Sequence, residues 1–214
     1  MTFPSFVVQK YMERPLLFKG YKFDIRAFGL LAQDGSLYYF SEAYIRLSSL
    51  EYSLDRLNYF VHLTNNAVQV KSGSYGGIVK GNILGVSEYE EIQAAEVKEG
   101  EKVSTEVKDG QGVEVEGQET VKEQRSKQRE PMPKGYLMQN IAEIIKLSFD
   151  CCRGLLNPHK REKCFELFGF DFMVDENHKV WLIEVNSVPS LGESNEFLTQ
   201  FFSRLLGKLF SYFR

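Results

Sequence analysis

Ahead of a long charged segment the pattern of apolar and polar residues is mostly of period two, the spacing of half-buried strands. Phe6-Val-Val-Gln-Lys-Tyr-Met12 reads as one strand, Tyr21 to Ala32 as a second, and Ser36 to Leu47 as the strand that returns after a turn at Asp34-Gly35. The period then changes. Behind Pro131 and Pro133, residues Leu137, Ile141, Ile144, Ile145, Ser148 and Cys152 recur at about 3.6-residue spacing and predict a helix that packs on the sheet. Two more strand-like runs, Phe165 to Val174 and Val180 to Val185, flank a turn at Asp175-Glu-Asn-His-Lys179. The tail from Glu196 to Phe213 puts Phe197, Phe201, Leu205, Leu206, Leu209 and Phe213 on one helical face, with Ser190-x-x-Glu193 as a candidate cap. Strands and helices joined in this order predict an α+β fold, a largely antiparallel sheet flanked by helices.

One segment breaks the pattern. Ala94 to Glu130 has no aromatic residue and carries ten acidic and seven basic residues, the whole net charge of −3 of the chain. Such a composition cannot offset its ordering entropy by burial and predicts a disordered insert within the domain. The rest is about neutral, and nothing at the level of the whole chain favours nucleic acid, for which a strongly basic domain would be expected. At 214 residues and 43% hydrophobic the chain can bury a core, and its apolar runs fall short of the roughly 20 residues needed to span a bilayer. Cys151, Cys152 and Cys164 cannot all pair and have no metal-ligand spacing, so a reducing, intracellular compartment is the simpler reading.

Three constellations could carry chemistry. A hairpin centred between Asn177 and His178 sets Asp171 opposite Glu184, and Asn186 and Leu182 share the face of Glu184. Two like charges at such a cross-strand position repel unless something bridges them. With the Asn186 amide they form a hard oxygen set suited to Mg²⁺, the alternative being a polar face in water. Along Lys22-Phe-Asp-Ile-Arg-Ala27 the residues Lys22, Asp24 and Arg26 share one face and Phe23, Ile25 and Ala27 the other. That ladder is either a solvated ion-pair face or a holder of phosphate or carboxylate, and Arg46 is a further cation of the same kind. His62-Leu-Thr-Asn-Asn66 is rich in short polar groups and reads as a turn or as part of a site. Gly73-Ser-Tyr-Gly-Gly77 lacks the strand–loop–helix setting of a phosphate loop.

Taken together, Val8-Gln-Lys-Tyr-Met12, Lys22-Phe-Asp-Ile-Arg26, Ile45-Arg-Leu47, His62-Leu-Thr-Asn65, Leu167 to Asp175 and Trp181-Leu-Ile-Glu-Val-Asn186 resemble the C-terminal part of a tubulin tyrosine ligase-like protein. The charged insert lies outside that resemblance. The resemblance implies an ATP-grasp fold, residues 1–214 being its C-terminal half, and an ATP- and Mg²⁺-dependent ligase that adds tyrosine, glutamate or glycine to tubulin. It implies that Gln9, Lys10, Tyr11 and Met12 form a hinge strand beside the adenine, that Lys22 and Asp24 lie near the nucleotide, and that Thr64 and Asn65 lie by the phosphates. Asp171, Glu184 and Asn186 would hold Mg²⁺, while Arg26 and Arg46 would face the phosphoryl group and the carboxylate of the incoming amino acid.

The implied reaction has two steps. ATP phosphorylates an acceptor carboxylate, and the amine of the free amino acid attacks the acyl phosphate. Alignment and charge neutralisation then do most of the catalytic work, with no Ser, Cys or His nucleophile. The implied partners are the tubulin C-terminal tail and a free amino acid, and the implied location is cytoplasmic, on microtubules, including those of cilia and flagella. The family's phosphate-covering loop would precede Met1, so the chain is expected to be an incomplete catalytic unit. The alternative expectation is a non-catalytic tubulin-binding module built on the same fold.

Overall fold

The computed structural model describes residues 7–55, 57–106, 132–157, 161, 163–192 and 195–212. Its centre is a wholly antiparallel seven-stranded sheet: β1 (Leu17–Phe18), β2 (Tyr21–Leu31), β3 (Leu37–Tyr39), β4 (Tyr44–Glu51), β5 (Ile83–Gly85), β6 (Glu166–Val174) and β7 (Val180–Asn186). The order is β5-β4-β2-β6-β7, with β1 and β3 also paired to β2. Short helices α1 (Tyr59–His62) and α2 (Asn66–Gln69) follow β4, and α3 (Val86–Glu106), α4 (Tyr136–Cys152) and α5 (Glu196–Ser211) are the longer ones. The α+β reading holds.

Alternation along β2 divides the chemistry of the sheet. Phe23, Ile25 and Ala27 point into the main core with Ile45, Leu47, Phe170, Phe172 and Val174, and α4 covers them with Leu137, Ile141, Ile145 and Phe149. The opposite face is polar at one end and apolar at the other. Its apolar end, Phe28 with Phe40, Tyr44 and Ile83, is closed by Leu198, Phe201, Phe202 and Leu205 of α5. Its polar end carries Lys22, Asp24 and Arg26.

Several sequence expectations change. Residues 7–12 form no strand, and Val7 and Val8 stand 85% and 95% exposed; β2 has other strands on both of its edges. The returning strand is two strands: β3 pairs with Gly29–Leu31 and β4 with Tyr21–Arg26, with Phe40–Ala43 between them. That break lets Phe40 turn into the apolar cluster under α5. On α4 the buried stripe is completed by Phe149, whereas Cys152 is exposed. On α5, Leu198 and Phe202 are buried in place of Phe197 and Leu206, and the cap is Asn195, whose side chain accepts from the Leu198 N–H at 2.9 Å.

Helix α3 extends into the charged segment. α3 runs through Ala94 to Glu106, its first turns anchored by Val86 and Tyr89 in the core. Residues 107–130 of that segment lie outside the described residues. All three cysteines are free, and no helix among the described residues is long and apolar enough to cross a membrane.

Candidate phosphate and carboxylate site

The polar end of the sheet is a buried charge network. Asp24 on β2 lies opposite Arg46 on β4, and Arg26 on β2 lies opposite Asp171 on β6, so each carboxylate meets a guanidinium across a ladder. Arg46 Nε and Nη2 donate to the two Asp24 oxygens, each at 2.7 Å. Arg26 Nε donates to Asp171 Oδ1 and its Nη2 to Oδ2 at 2.9 Å. Arg46 Nη2 also reaches Asp171 Oδ2 at 3.0 Å, joining the two pairs. Lys22, Arg26, Arg46 and Asp171 are only 5%, 7%, 7% and 6% exposed, which excludes the solvated-ladder reading of this face.

The His62–Asn65 segment closes the network from one side. Thr64 Oγ1 donates to Asp24 Oδ2 at 2.7 Å, and the His62 carbonyl accepts from Lys22 Nζ at 2.7 Å. Lys22 also donates to the Tyr11 hydroxyl at 3.1 Å, and that hydroxyl lies 2.8 Å from His62 Nδ1. Tyr11 is thereby tied to the cluster, while Gln9 and Lys10 stand exposed and Met12 is half-buried. Asn65 caps α2 through the Ala67 N–H at 2.9 Å. The predicted binding residues are thus divided: Tyr11, Lys22, Asp24 and Thr64 converge, Gln9 and Lys10 do not, and Asn65 has a local structural partner.

The predicted pairing of Asp171 with Glu184 is present, although by a different route. The turn places Val174 opposite Val180 and so centres on Asn177, and a bulge at Ile183 supplies the one residue needed to restore the Asp171–Glu184 register. The turn sets Leu182 opposite Phe172, where it packs on the core, and the bulge puts Glu184 on the other face. Asn186 pairs with Gly169 and its Nδ2 donates to Glu184 Oε1 at 3.2 Å. Gly169 leaves room for the network, since a Cβ there would lie 3.3 Å from Arg26 Nη1 and 2.8 Å from Pro189 Cβ.

Electrostatics follow from this packing. Burial raises the cost of the Asp171 charge, but the Arg26 and Arg46 guanidinium groups outweigh it and hold the carboxyl below its usual value. Burial likewise opposes the charge of Arg46, and Asp24 and Asp171 overcome it and raise the guanidinium pKa. Burial lowers the pKa of Lys22, with Asp24 partly opposing. Three buried cations face two carboxylates, Asp24 and Asp171. The cluster therefore has one positive charge in excess to offer an anion, with a geometry suited to phosphate or carboxylate oxygens.

The depressed Asp171 pKa has a definite sign in stability. The unfolded chain takes up this proton first on acidification, so the stabilisation is complete above about pH 4 and is lost as pH falls through the folded-state pKa below it. Asp175 adds in the same sense: burial opposes its charge, but Trp181 Nε1 at 2.8 Å and the backbone N–H groups of Asn177 and Lys179 lower its pKa. Urea midpoints should stay level from about pH 7 to pH 5 as far as these two groups contribute, then fall steeply below about pH 4, less steeply in Asp175→Asn.

The oxygen set also fits a hard divalent cation. Glu184 is exposed, its oxygens meet only the Asn186 amide among the described contacts, and Asp171 lies directly across the ladder. No group of three or more His, Cys, Asp or Glu is gathered among the described residues, and a third oxygen beside Asp171 and Glu184 would have to come from the Asn186 carboxamide. Asp171 would have to share its oxygens with two guanidinium groups.

A mostly antiparallel sheet flanked by helices is the α+β architecture of an ATP-grasp-like domain. The chain belongs to the tubulin-tyrosine ligase family, whose model matches residues 4–110 and again 98–213, running through the charged segment. It is 33% identical over 206 residues to tubulin glycylase 3B of Tetrahymena thermophila, covering 94% of this chain and 15% of that protein. It is 30% identical over 200 residues to tubulin glycylase 3B of Drosophila melanogaster, covering 90% and 22%. Over 196 residues it is 28% identical to the "Probable tubulin polyglutamylase TTLL9" of Mus musculus, covering 90% and 35%. The chain thus spans between about a seventh and about a third of the length of these relatives.

Sequence reasoning missed Gln69 and Tyr52. Tyr52 donates to the Glu13 carbonyl at 2.8 Å and packs edge-on against the His62 ring. Neither residue sits in a charged or alternating run, so only the fold brings it to the site.

Proposed function

We propose that this chain supplies the phosphate- and metal-holding part of an ATP- and Mg²⁺-dependent ligase that joins an amino acid to the C-terminal tail of tubulin. The observation that carries the reading is the buried Lys22–Asp24–Arg26–Arg46–Asp171 network with its positive excess, open toward Glu184 and Asn186. The family and the relatives named as tubulin glycylases and polyglutamylases support tubulin as the acceptor.

In this reading Lys22 and Thr64 meet the nucleotide's phosphates, and Arg26 and Arg46 neutralise charge as the terminal phosphoryl group passes to an acceptor carboxylate. ADP leaves, the amino group of the incoming amino acid attacks the resulting acyl carbon, and inorganic phosphate departs as the amide forms. The spent ammonium proton goes to solvent. Mg²⁺ held by Glu184, Asn186 and a shared Asp171 would neutralise phosphate charge and order the phosphate oxygens. The arginines need no movement of charge at the moment of reaction, because Asp24 and Asp171 already fix their planes. Its place would be on cytoplasmic microtubules, those of cilia and flagella included.

The test uses the native full-length protein. Incubated with ATP, Mg²⁺, polymerised tubulin and labelled glycine, glutamate or tyrosine in separate reactions, it should incorporate one of the three and release ADP in step. Binding to microtubules without incorporation of any of them would replace this reading with that of a tubulin-binding module.

A further inference from the structure

β4 outruns its neighbour. β5 pairs with it only from Tyr44 to Arg46, so beyond Arg46 the outer edge of β4 needs other partners for its backbone. Two buried side-chain amides take the place of a strand. Asn82, just before β5, donates through Nδ2 to the Leu47 carbonyl at 3.0 Å and to Ser49 Oγ at 2.8 Å. Gln69, 0% exposed at the end of α2, accepts the Ser49 N–H on Oε1 at 2.7 Å.

The other half of the Gln69 amide faces the site. Its Nε2 donates to the Leu63 carbonyl, with the Phe60 carbonyl at 3.4 Å. Leu63 lies between the two loop residues that reach the charge network: the His62 carbonyl holds Lys22, and the Thr64 hydroxyl holds Asp24. One side chain therefore fixes the loop to β4, the strand that also carries Arg46. The loop's own helices, α1 and α2, have only four residues each.

We propose that Gln69 is a positioning residue for phosphate binding: its amide sets the height of the His62–Thr64 segment over the sheet, and thereby the places of Lys22 Nζ and the Asp24–Arg46 pair. The proposal rests on the nucleotide-binding reading above. It predicts that the donor half of the amide, and not merely a filled volume, is what the site requires. Gln69→Glu separates the two, because a carboxylate keeps the shape and still accepts from Ser49 but presents an acceptor to the Leu63 carbonyl. Burial raises the pKa of such a carboxyl, so mild acid restores a donor as O–H.

In the native full-length protein, Gln69→Glu should weaken Mg–ADP binding, read by titration calorimetry, by about tenfold at about pH 8 and regain most of the affinity near pH 6. Hydrogen exchange of residues 62–66 should quicken in parallel, with α4 unchanged. An Ile145→Val control on the opposite layer should keep wild-type affinity at a comparable fall in melting temperature. Wild-type affinity and exchange in Gln69→Glu would overturn the proposal, as would an equal loss of affinity in the control. If the wild-type protein binds no Mg–ADP, the nucleotide reading fails by itself, and exchange at 62–66 still decides whether Gln69 sets the loop. Should Gln69→Glu not fold, Gln69→Met keeps the volume without the donor and must show the same local quickening; normal exchange there would overturn the proposal.

Discussion

Asp171→Ala should cost about 3–5 kcal/mol of unfolding free energy, the largest loss expected from any single surface-facing or site residue of this domain. The reason is what it leaves behind. Arg26 has Asp171 as its carboxylate partner on both Nε and Nη2, and its side chain is 9% exposed, so truncation strands a guanidinium in a dry site. Arg46 would lose one contact but keep both Asp24 oxygens. Asp24→Ala should accordingly be graver for Arg46 and for Thr64 than for Arg26. Chemical denaturation of the native protein and the variant at pH 7 checks the value; a loss under about 1 kcal/mol would show that water reaches the network and that its burial is not what organises it.

Glu184→Gln should separate folding from chemistry. The side chain is exposed and its described partner is the Asn186 amide, so stability should change by no more than about 0.5 kcal/mol. On the proposed function, amino-acid incorporation by the full-length protein should nevertheless fall by about a hundredfold or more, because the change removes one unit of negative charge from the oxygens that would hold the cation. Turnover that stays within about twofold of wild type at limiting Mg²⁺ would remove Glu184 from the metal site. The pair of variants is informative jointly: one tests the buried half of the face, the other the open half.

Much of this site was legible before any fold was known. Lys22, Asp24 and Arg26 fall on one face by strand periodicity alone, and Asp171 and Glu184 fall opposite one another by hairpin symmetry. Yet the second deduction reached the right pair through a turn centred half a residue off, with the Ile183 bulge making up the difference. A bulge has no signature in the alternation of apolar and polar residues, because Leu182, Ile183 and Val185 are all apolar and any of them could face the core. The Phe6–Met12 run shows the opposite failure. Its apolar and β-branched residues read as a strand, but residues 7–12 form none, and strand pairing depends on neighbours that a local run cannot specify.

The sequence alone determined local facts about this protein: that Lys22, Asp24 and Arg26 share a strand face, where helices α4 and α5 lie, and which side chains carry charge. Tertiary structure decided everything that depends on which of two faces is covered. The Lys22–Arg26 ladder reads identically whether solvated or buried, and only the stacking of β4, β6 and the His62–Asn65 segment around it turns a surface ion-pair pattern into a dry, cation-rich site. Gln69 and Asn82 became visible only there, since a neutral amide declares nothing until a strand end is left without a partner. Periodicity is a property of neighbours in the chain, whereas desolvation, which sets the strength of every charge in this network, is a property of neighbours in space.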